Sequence, residues 1–462
     1  MNIFERHARF YMEHAFDHPG DWDWFDQEWG QIQRAWMNIK GLRNALCLDF
    51  LLVFDRFLDR RNLLLQEIEW TSEGIGIARE LNNQMREGQL LNILGNTHAY
   101  AGQSKKSIEI LEQALITADY LKDEDLTLDV LINLGITQHR TGNIEKSIDH
   151  FQKALEYAEK NKDQGRKSSV LSNLALAYKD LGQTRRSIDL MEQSLEICRN
   201  LGNINHEAGL LNNLGNSYRN LGDINQAIIY FEQAALLARE AGNKRVEASA
   251  IGNLGSCYYR LGNMERAIDY LSQQLFMVRE IGDRLGEGNA LRNIGLAYAG
   301  MDDVQSAISY HEASLLIARD IGDLSGEGIA LGNLGNVYRK LEDYARATQY
   351  YTKRLEIAVT IGDRRRQAVG LGSLGNIYSD MGKLQTALEY YEKAIGIARE
   401  TEDKQDESLW AWNIGLAYEK LGDYEKAITY LSITVHYETQ IGHANAESDR
   451  IYLESIQKKM IR

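Results

Sequence analysis

The chain of 462 residues repeats itself every 40 residues, and this repeat limits its possible folds more than any other feature. A shift of 40 residues aligns the following nine positions without a gap: Leu91, Leu131, Leu171, Leu211, Ile251, Leu291, Leu331, Leu371 and Ala411. A period of roughly 20–50 residues is typical of solenoids, in which each unit buries its apolar face only by stacking on its neighbours. We therefore expect one continuous array of nine units.

Each unit has the pattern of two helices joined by a short turn. In the unit around residue 215, apolar and small residues recur at the spacing of one helix face, twice in succession. The first stripe contains Leu211, Leu214 and Tyr218, and the second contains Tyr230 and Phe231. Gly222 can adopt the left-handed conformation past the first helix, and Asp223 can cap the second. The pattern predicts an all-α fold of stacked antiparallel helix hairpins.

Small residues recur at one position of each helix in the hairpin. Glycine occupies the first of these columns in every unit except one, which has Ala175. The second helix carries serine or alanine at the corresponding column, for example Ser107 and Ala227. We expect these two columns to face each other and to let the helix axes approach closely.

The sequence resembles the tetratricopeptide repeat (TPR), whose pattern matches Leu214-Gly215, Tyr218, Ala227 and Phe231. It departs from the family's usual unit of about 34 residues and lacks the proline between hairpins. The longer unit, with its NLGNxY and IGDR strings, is similar to the repeats of Pins/LGN adaptors, kinesin light chains and the sensor arms of bacterial STAND ATPases. The resemblance implies a right-handed α-solenoid, the TPR superhelix.

The ends of the chain differ from the repeats. Residues 1–42 are rich in aromatic residues and are expected to form an N-terminal helical cap, and residues 43–83 a degenerate TPR-like hairpin in the same register. Nine units then occupy residues 84–443, and residues 444–462 are expected to form a C-terminal capping helix. The strings DWDWFDQEWGQIQRAW and FLDRRNLLLQEIEWTSEGIGIAREL resemble the STAND group most.

Charge and composition exclude several classes of function. The formal net charge is −14, and lysine and arginine do not form a run, which argues against a general binder of nucleic acid or of a membrane surface. The start, MNIFERHARF, has no apolar signal core, and no stretch approaches the roughly 18 apolar residues that cross a bilayer. With three cysteines and no CxxC spacing, we expect a cytoplasmic protein.

One asparagine per unit is predicted to face away from the hairpin core, on the inner, concave surface of the TPR fold. This ladder consists of Asn133, Asn173, Asn213, Asn253, Asn293, Asn333 and Asn413. A side-chain amide both donates and accepts, which suits the backbone of an extended peptide. In the Pins/LGN and kinesin light chain families, matching asparagines contact peptides, so the resemblance implies the same role. The alternative is that these amides bond only to neighbouring helices or water.

A second asparagine column contains Asn96, Asn216, Asn336 and Asn376. Together the two columns are similar to the family's carboxylate clamp, which holds a peptide C-terminus. The basic positions of that clamp are replaced by residues such as Asn212, Gly332 and Gly372. We therefore expect an internal segment of another protein, either extended or helical, as the ligand.

Cations are enriched at the end of the first helix, where Arg219, Arg260 and Arg339 lie, and Arg292 lies further up the same helix face. In an acidic chain this predicts an inner surface that is less negative than the rest and suits an acidic peptide. The alternative is that these cations only interact favourably with the helix macrodipole. Trp412 is also predicted to face inward, where it can anchor a partner or pack against the C-terminal helix.

Catalytic and cofactor signals are weak. No GxxxxGK[ST] phosphate loop occurs, so the chain lacks the ATPase part of a STAND protein. His7, His14 and His18 have no Cys partner for a metal site, and the Arg9/His14 spacing is common by chance. We expect no enzyme, no cofactor and no metal.

Three hypotheses follow from the sequence. The first is a non-enzymatic scaffold or adaptor, and the second is a sensor or regulatory subunit of a bacterial signalling or defence system with a separate effector. An enzyme within the first 86 residues is the third. The sequence leaves the oligomeric state open.

Overall fold

The computed structural model describes residues 2–18, 20–61 and 63–461. Every regular element in these ranges is a helix, which confirms the predicted all-α fold. The chain divides into two compact units, Met1–Leu237 and Ala238–Arg462. Within each unit, helices that follow one another along the chain pack against each other.

The first unit contains the N-terminal region and the first hairpins. Its helices are α1 (Ile3–Asp17), α2 (Trp22–Ile39), a 3-10 turn (Lys40–Leu42), α3 (Ala45–Arg60), α4 (Leu64–Glu80), α5 (Gln84–Tyr100), α6 (Ser104–Leu121), α7 (Glu124–Arg140), α8 (Ile144–Lys160), α9 (Gln164–Asp180), α10 (Thr184–Leu201), α11 (Ile204–Asn220) and α12 (Ile224–Glu240), in which the division falls. Aromatic rings fill the core at its N-terminal end, where Phe50 and Phe54 lie 4.5 Å apart between ring centroids and Trp36 is fully buried.

The second unit continues the same alternation of helices. It contains α13 (Lys244–Arg260), α14 (Met264–Glu280), α15 (Arg284–Gly300), α16 (Val304–Asp320), α17 (Leu324–Lys340), α18 (Tyr344–Ile361), α19 (Arg364–Asp380), α20 (Leu384–Glu400), α21 (Lys404–Leu421), α22 (Tyr424–Ile441) and α23 (Ala446–Ile461). The last helix buries Leu453 and Ile456 in one cluster with Leu431 and Val435 of α22.

The two helices of a hairpin run antiparallel. In α17 and α18, Gly335 faces the ring of Tyr351, and three residues later Tyr338 stacks on Tyr350. The same tyrosine pair, 12 residues apart, recurs in six hairpins with ring centroids 5.3–5.9 Å apart: Tyr218–Tyr230, Tyr258–Tyr270, Tyr298–Tyr310, Tyr338–Tyr350, Tyr378–Tyr390 and Tyr418–Tyr430. Tyr218 and Tyr230 are half-buried, so they form a stacked pair rather than part of the fully buried core.

The glycine column makes room for a large side chain as well as for the small column opposite, since a Cβ on Gly255 would also lie 3.2 Å from the carbonyl oxygen of Ala267. A Cβ on Gly215 would lie 2.6 Å from the ring of Phe231. Leu111, Phe151, Leu271, His311, Tyr351, Tyr391 and Leu431 take the same place in other hairpins. The expected close approach of the helices is present, and it also leaves space for this side chain beside a bare backbone.

The turns follow the predicted chemistry. Gly222 has a φ of 87°, and Asp223 accepts a hydrogen bond from the backbone N–H of Gln226 at 3.0 Å. Several turns place a residue other than glycine in the same left-handed conformation, including Glu342 and Glu402, with φ values of 59° and 55°. An L residue is disfavoured there because its Cβ crowds the following carbonyl.

This strain predicts a stabilising exchange. The Glu342→Gly and Glu402→Gly variants should each raise the free energy of unfolding by about 0.5–1 kcal/mol, because both residues are exposed and glycine adopts a positive φ readily. Urea denaturation followed by circular dichroism measures the change. Gly222→Ala, the reverse exchange, should destabilise. Stabilisation by Gly222→Ala would contradict this explanation.

Candidate functional site

The predicted asparagine ladder lies on the first helices of the hairpins, and each of its side chains is half-buried. Asn133 on α7 donates from Nδ2 to Oδ1 of Asn92 on α5, at 2.9 Å. A second bond of this kind joins His139 on α7 to Asp180 on α9, at 2.8 Å. Within each unit, first helices of consecutive hairpins therefore lie side by side, and we call the surface that they share in a unit its first-helix surface.

Several predicted asparagines have partners within their own helix or hairpin. Asn173 donates to the carbonyl of Ser169 at 2.9 Å. Asn216 donates to the carbonyl of Asn212 at 3.1 Å and accepts from Arg219 at 2.7 Å. The hydroxyls of Tyr351 and Tyr391 donate to Asn336 and Asn376, at 2.5 and 2.8 Å. These bonds are of the kind described by the alternative for the ladder, in which the amides bond to neighbouring groups of the chain.

Other amides have capacity left for a ligand. Within the described ranges, Asn213, Asn293 and Asn413 make no side-chain hydrogen bond. Nδ2 of Asn333 is buried and has no acceptor among the described residues. A buried donor without a partner is costly, by about 1–3 kcal/mol, so Asn333 is a position where an added acceptor would be favourable. Asn253 has interactions within the chain.

Two arginines in the second unit lie close to this surface without a carboxylate partner. Arg292 is on α15 and Arg354 is on α18, and burial lowers the pKa of both guanidinium groups. Neither forms an ion pair within 4.0 Å in the part of the chain that the structure describes. His311, near Arg292, is fully buried and has its pKa lowered to about 4, so it adds no charge.

Arg354 reaches the first-helix surface because α17 has a glycine opposite it. A Cβ on Gly332 would lie 2.8 Å from a terminal nitrogen of Arg354. Gly332 and Arg292 occupy equivalent repeat positions, 40 residues apart. The guanidinium group of Arg292 on α15 and that of Arg354 over α17 therefore lie at equivalent repeat positions, and α15 and α17 are in contact with each other.

Asn333 belongs to the same group of donors. It is 41 residues from Arg292, the spacing that joins Asn133 to Asn92 in the first unit. We call Arg292, Asn293, Asn333 and Arg354 the donor cluster. Its two charged groups are guanidinium groups, with Asp323 near Arg292 but beyond ion-pair distance, and its spare hydrogen-bonding groups include the buried Nδ2 of Asn333. Such a cluster suits a ligand rich in acceptors, such as carboxylates and peptide carbonyls.

Sequence reasoning missed Arg354, since it lies on the second helix of its hairpin. The sequence did contain a signal for this contact, the glycine at position 332 on the first helix, because a glycine leaves space above the backbone for a side chain from the second helix. The same space holds Gln274 over Gly252 and the ring of Trp410 over Gly372. Arg354 and Gln274 each lie on a second helix, 22 residues after the glycine that they cover on the first helix. A long side chain at this spacing from a glycine is therefore the sequence signal for such a contact.

The remaining predicted residues divide between engaged and exposed groups. Arg339 forms an ion pair with Asp380, in which Nη2 of Arg339 lies 3.2 Å from Oδ1 of Asp380. Arg260 is exposed at the end of α13 and has interactions within the chain. Trp412 packs its ring 5.5 Å from that of Tyr452 on α23, as the structural alternative for it predicted.

The N-terminal histidines lie beside aromatic side chains. His14 stacks on Trp24, with ring centroids 3.6 Å apart, and Arg9 is exposed. Among the described residues, no group of three or more His, Cys, Asp or Glu side chains is placed to hold a metal ion. In the same part of the chain, none of the helices has the length and apolar character that a membrane span requires.

Comparisons with solved structures show the fold. The apo form of the quorum sensor NprR from B. thuringiensis is 18% identical, with 76% of this chain and 97% of that chain covered and a TM-score of 0.55. A Pyrococcus horikoshii STAND ATPase with a tetratricopeptide repeat sensor is 16% identical over 85% of this chain and 55% of that one, with a TM-score of 0.53.

A Rap protein in complex with competence and sporulation factor is 14% identical, covers 81% of this chain and 98% of that chain, and gives a TM-score of 0.50. No curated protein sequence matches the chain.

A family profile decides the classification. The tetratricopeptide repeat profile matches residues 86–160, 166–234, 206–279, 286–358 and 366–432, which together make up more than half of the chain. The hairpins, the glycine column and the turns agree with this match. The chain therefore belongs to the tetratricopeptide repeat family.

Proposed function

We propose that the protein is a non-enzymatic scaffold or adaptor that binds an acidic segment of another protein along its first-helix surface. The observation that carries this proposal is the donor cluster, in which Arg292 and Arg354 have no carboxylate partner in the described structure. A ligand carboxylate beside such groups forms charge-assisted hydrogen bonds, which are about twice as strong as neutral ones. The TPR fold, typically non-catalytic, agrees with this role.

The amides give the same surface a way to bind a backbone. Asn293 and Asn333 lie next to the two arginines in sequence or repeat register, and Nδ2 of Asn333 has no acceptor. Amides can form hydrogen bonds with the N–H and C=O groups of a peptide backbone, whereas the arginines can pair with its acidic side chains. The proposed ligand is therefore an extended or helical segment with aspartate or glutamate side chains.

A peptide-display selection on the intact chain tests the proposal. Peptides selected by the native protein should be enriched in Asp and Glu, and the Arg292→Gln/Arg354→Gln variant should lose this enrichment. Lys353→Gln/Arg245→Gln is the matched control, since it removes two exposed cations from the same unit. Enrichment that persists in the Arg292/Arg354 variant, or a selection without acidic peptides, would contradict the proposal.

A sensor or regulatory subunit is the second candidate. Two of the similar structures are named as a quorum sensor and as a STAND protein with a repeat sensor, although their low identity supports only the shared fold. In this case the acidic segment belongs to an effector encoded by a separate gene. Deletion of the gene for this protein should then change the effector's activity, and unchanged activity would exclude this candidate.

A further inference from the structure

A cavity of about 470 Å³ lies at the C-terminal end of the second unit, away from the donor cluster. It is bounded by α21, α22 and the start of α23, and we call it the C-terminal pocket. Leu409, Trp412 and Ile441 form its apolar walls. Its volume is in the range of small-ligand sites, roughly 300–1,000 Å³.

Two carboxylates in this pocket each have one buried oxygen without a hydrogen-bond donor among the described residues. Asp406 is only 7% exposed, and its Oδ2 has no donor among the described residues. The nearest cation to it, Nε of Arg365, is 3.7 Å away, beyond hydrogen-bonding distance. Oε2 of Glu438 is likewise buried without a donor. Because such buried acceptors are costly, both oxygens indicate a missing donor.

The electrostatics of the pocket favour a positive ligand. Burial and the neighbouring Asp403 raise the pKa of Asp406, and burial and Asp449 raise that of Glu438. The facing basic groups are the guanidinium of Arg365 and the imidazole of His443, whose Nδ1 lies 3.4 Å from Oε1 of Glu438. Asp403 repels the carboxylate of Asp406 and Asp449 repels that of Glu438, so a cation in the pocket would relieve both repulsions.

We propose that the C-terminal pocket binds a lysine or arginine side chain of a partner protein. The ammonium or guanidinium group lies between Asp406 and Glu438 and donates to their free oxygens. The aliphatic stem lies along Leu409 and Trp412, as long cationic side chains often cover apolar surface. The described residues offer no group of three or more metal ligands, and the cavity exceeds the size of an ion, so an organic cation fits better than a metal.

This site is independent of the proposed function. The donor cluster on α15, α17 and α18 selects acceptors and negative charge, whereas the C-terminal pocket on α21 to α23 selects donors and positive charge. A partner that uses both sites needs an acidic and a basic part.

Isothermal titration of two probe peptides tests the proposal. Acetyl-Leu-Lys-Leu-amide presents the ammonium group, and acetyl-Leu-norleucine-Leu-amide presents the same stem without charge. The native chain should bind the lysine peptide at least tenfold more tightly. Equal affinities would overturn the proposal, and so would displacement of the lysine peptide by equimolar calcium chloride.

Variants assign the preference to the pocket. Asp406→Asn/Glu438→Gln, which keeps the side-chain shapes, should lose the preference for lysine, whereas Glu425→Gln, an exposed acid on α22, should keep it. Leu409→Trp, at a half-exposed wall position, should weaken both peptides by filling the cavity, and it serves as a second variant if the double variant is unstable. A lysine preference that survives in folded Asp406→Asn/Glu438→Gln would overturn the proposal, and so would unchanged affinity for the lysine peptide in folded Leu409→Trp.

Discussion

Phe231→Ala should lower the free energy of unfolding by about 3–5 kcal/mol, the usual range for removal of a fully buried phenylalanine. The Phe231 ring is 0% exposed and lies against the backbone of Gly215 on the partner helix. Alanine would leave a cavity where the two helices are closest. Urea denaturation followed by circular dichroism measures the loss.

The Gly215→Ala exchange tests the same contact from the opposite side. A Cβ there would lie 2.6–2.9 Å from three ring atoms of Phe231, so the ring must move, and the variant should lose about 1–3 kcal/mol. Gly209→Ala on the same helix is the matched control, because a Cβ at that position meets nothing within 4 Å. It should stabilise by up to about 1 kcal/mol. Equal effects at both glycines would contradict the packing explanation.

The second large effect concerns a buried acid pair in the N-terminal region. Burial, Asp55 and Asp59 raise the pKa of Glu67 to about 8, and burial raises that of Asp55 to about 6. Glu67 is only 4% exposed and donates a hydrogen bond to Asp55 when protonated. The folded chain therefore holds these protons more tightly than the unfolded chain, whose carboxyls titrate near pH 4.

It follows that stability falls as pH rises. The contribution of the protonated pair is complete below about pH 4 and is lost as pH rises from there to about 8, because over this range the unfolded state binds fewer protons than the folded state. Glu67→Gln fixes a neutral donor, so at pH 9 it should be more stable than the native chain by roughly 3 kcal/mol. At pH 5 the two should differ little.

Urea denaturation at pH 5, 7 and 9 measures this dependence. Glu69→Gln is the matched control, since Glu69 is exposed on the same helix, and it should follow the native pH profile. Parallel pH profiles for Glu67→Gln and the native chain would contradict the account of the acid pair.

The fold was predictable because the 40-residue period repeats every determinant of the hairpin. The apolar stripes and the glycine turns recur in each unit, and each is a local pattern that a helix or turn requires by itself. The family profile and the helices confirm the resemblance to TPR repeats. The structure also gave the glycine column a second partner, since the ring of Phe231 lies over Gly215, a contact that the sequence analysis did not predict.

The site was less predictable because its side chains reach across helices. Helix geometry placed the asparagines outside the core, and their side chains are half-buried or exposed. It could not indicate that the hydroxyls of Tyr351 and Tyr391 donate hydrogen bonds to Asn336 and Asn376. Arg354 reaches the first-helix surface over Gly332, a contact between residues 22 positions apart. Such contacts depend on side-chain length and on the distance between helices, which periodicity does not specify. The peptide-binding role of the asparagines and arginines stays a prediction.

The central claim is that the donor cluster binds an acidic segment, and a double-mutant cycle tests it most directly. The dissociation constant of a selected acidic peptide is measured for the native chain and for Arg292→Gln/Arg354→Gln, and again with the peptide's acids replaced by amides. Each change alone should weaken binding at least tenfold, which is about 1.4 kcal/mol, and the two together should cost little more than either one. Losses that add fully, or native affinity in the arginine variant, would contradict the claim.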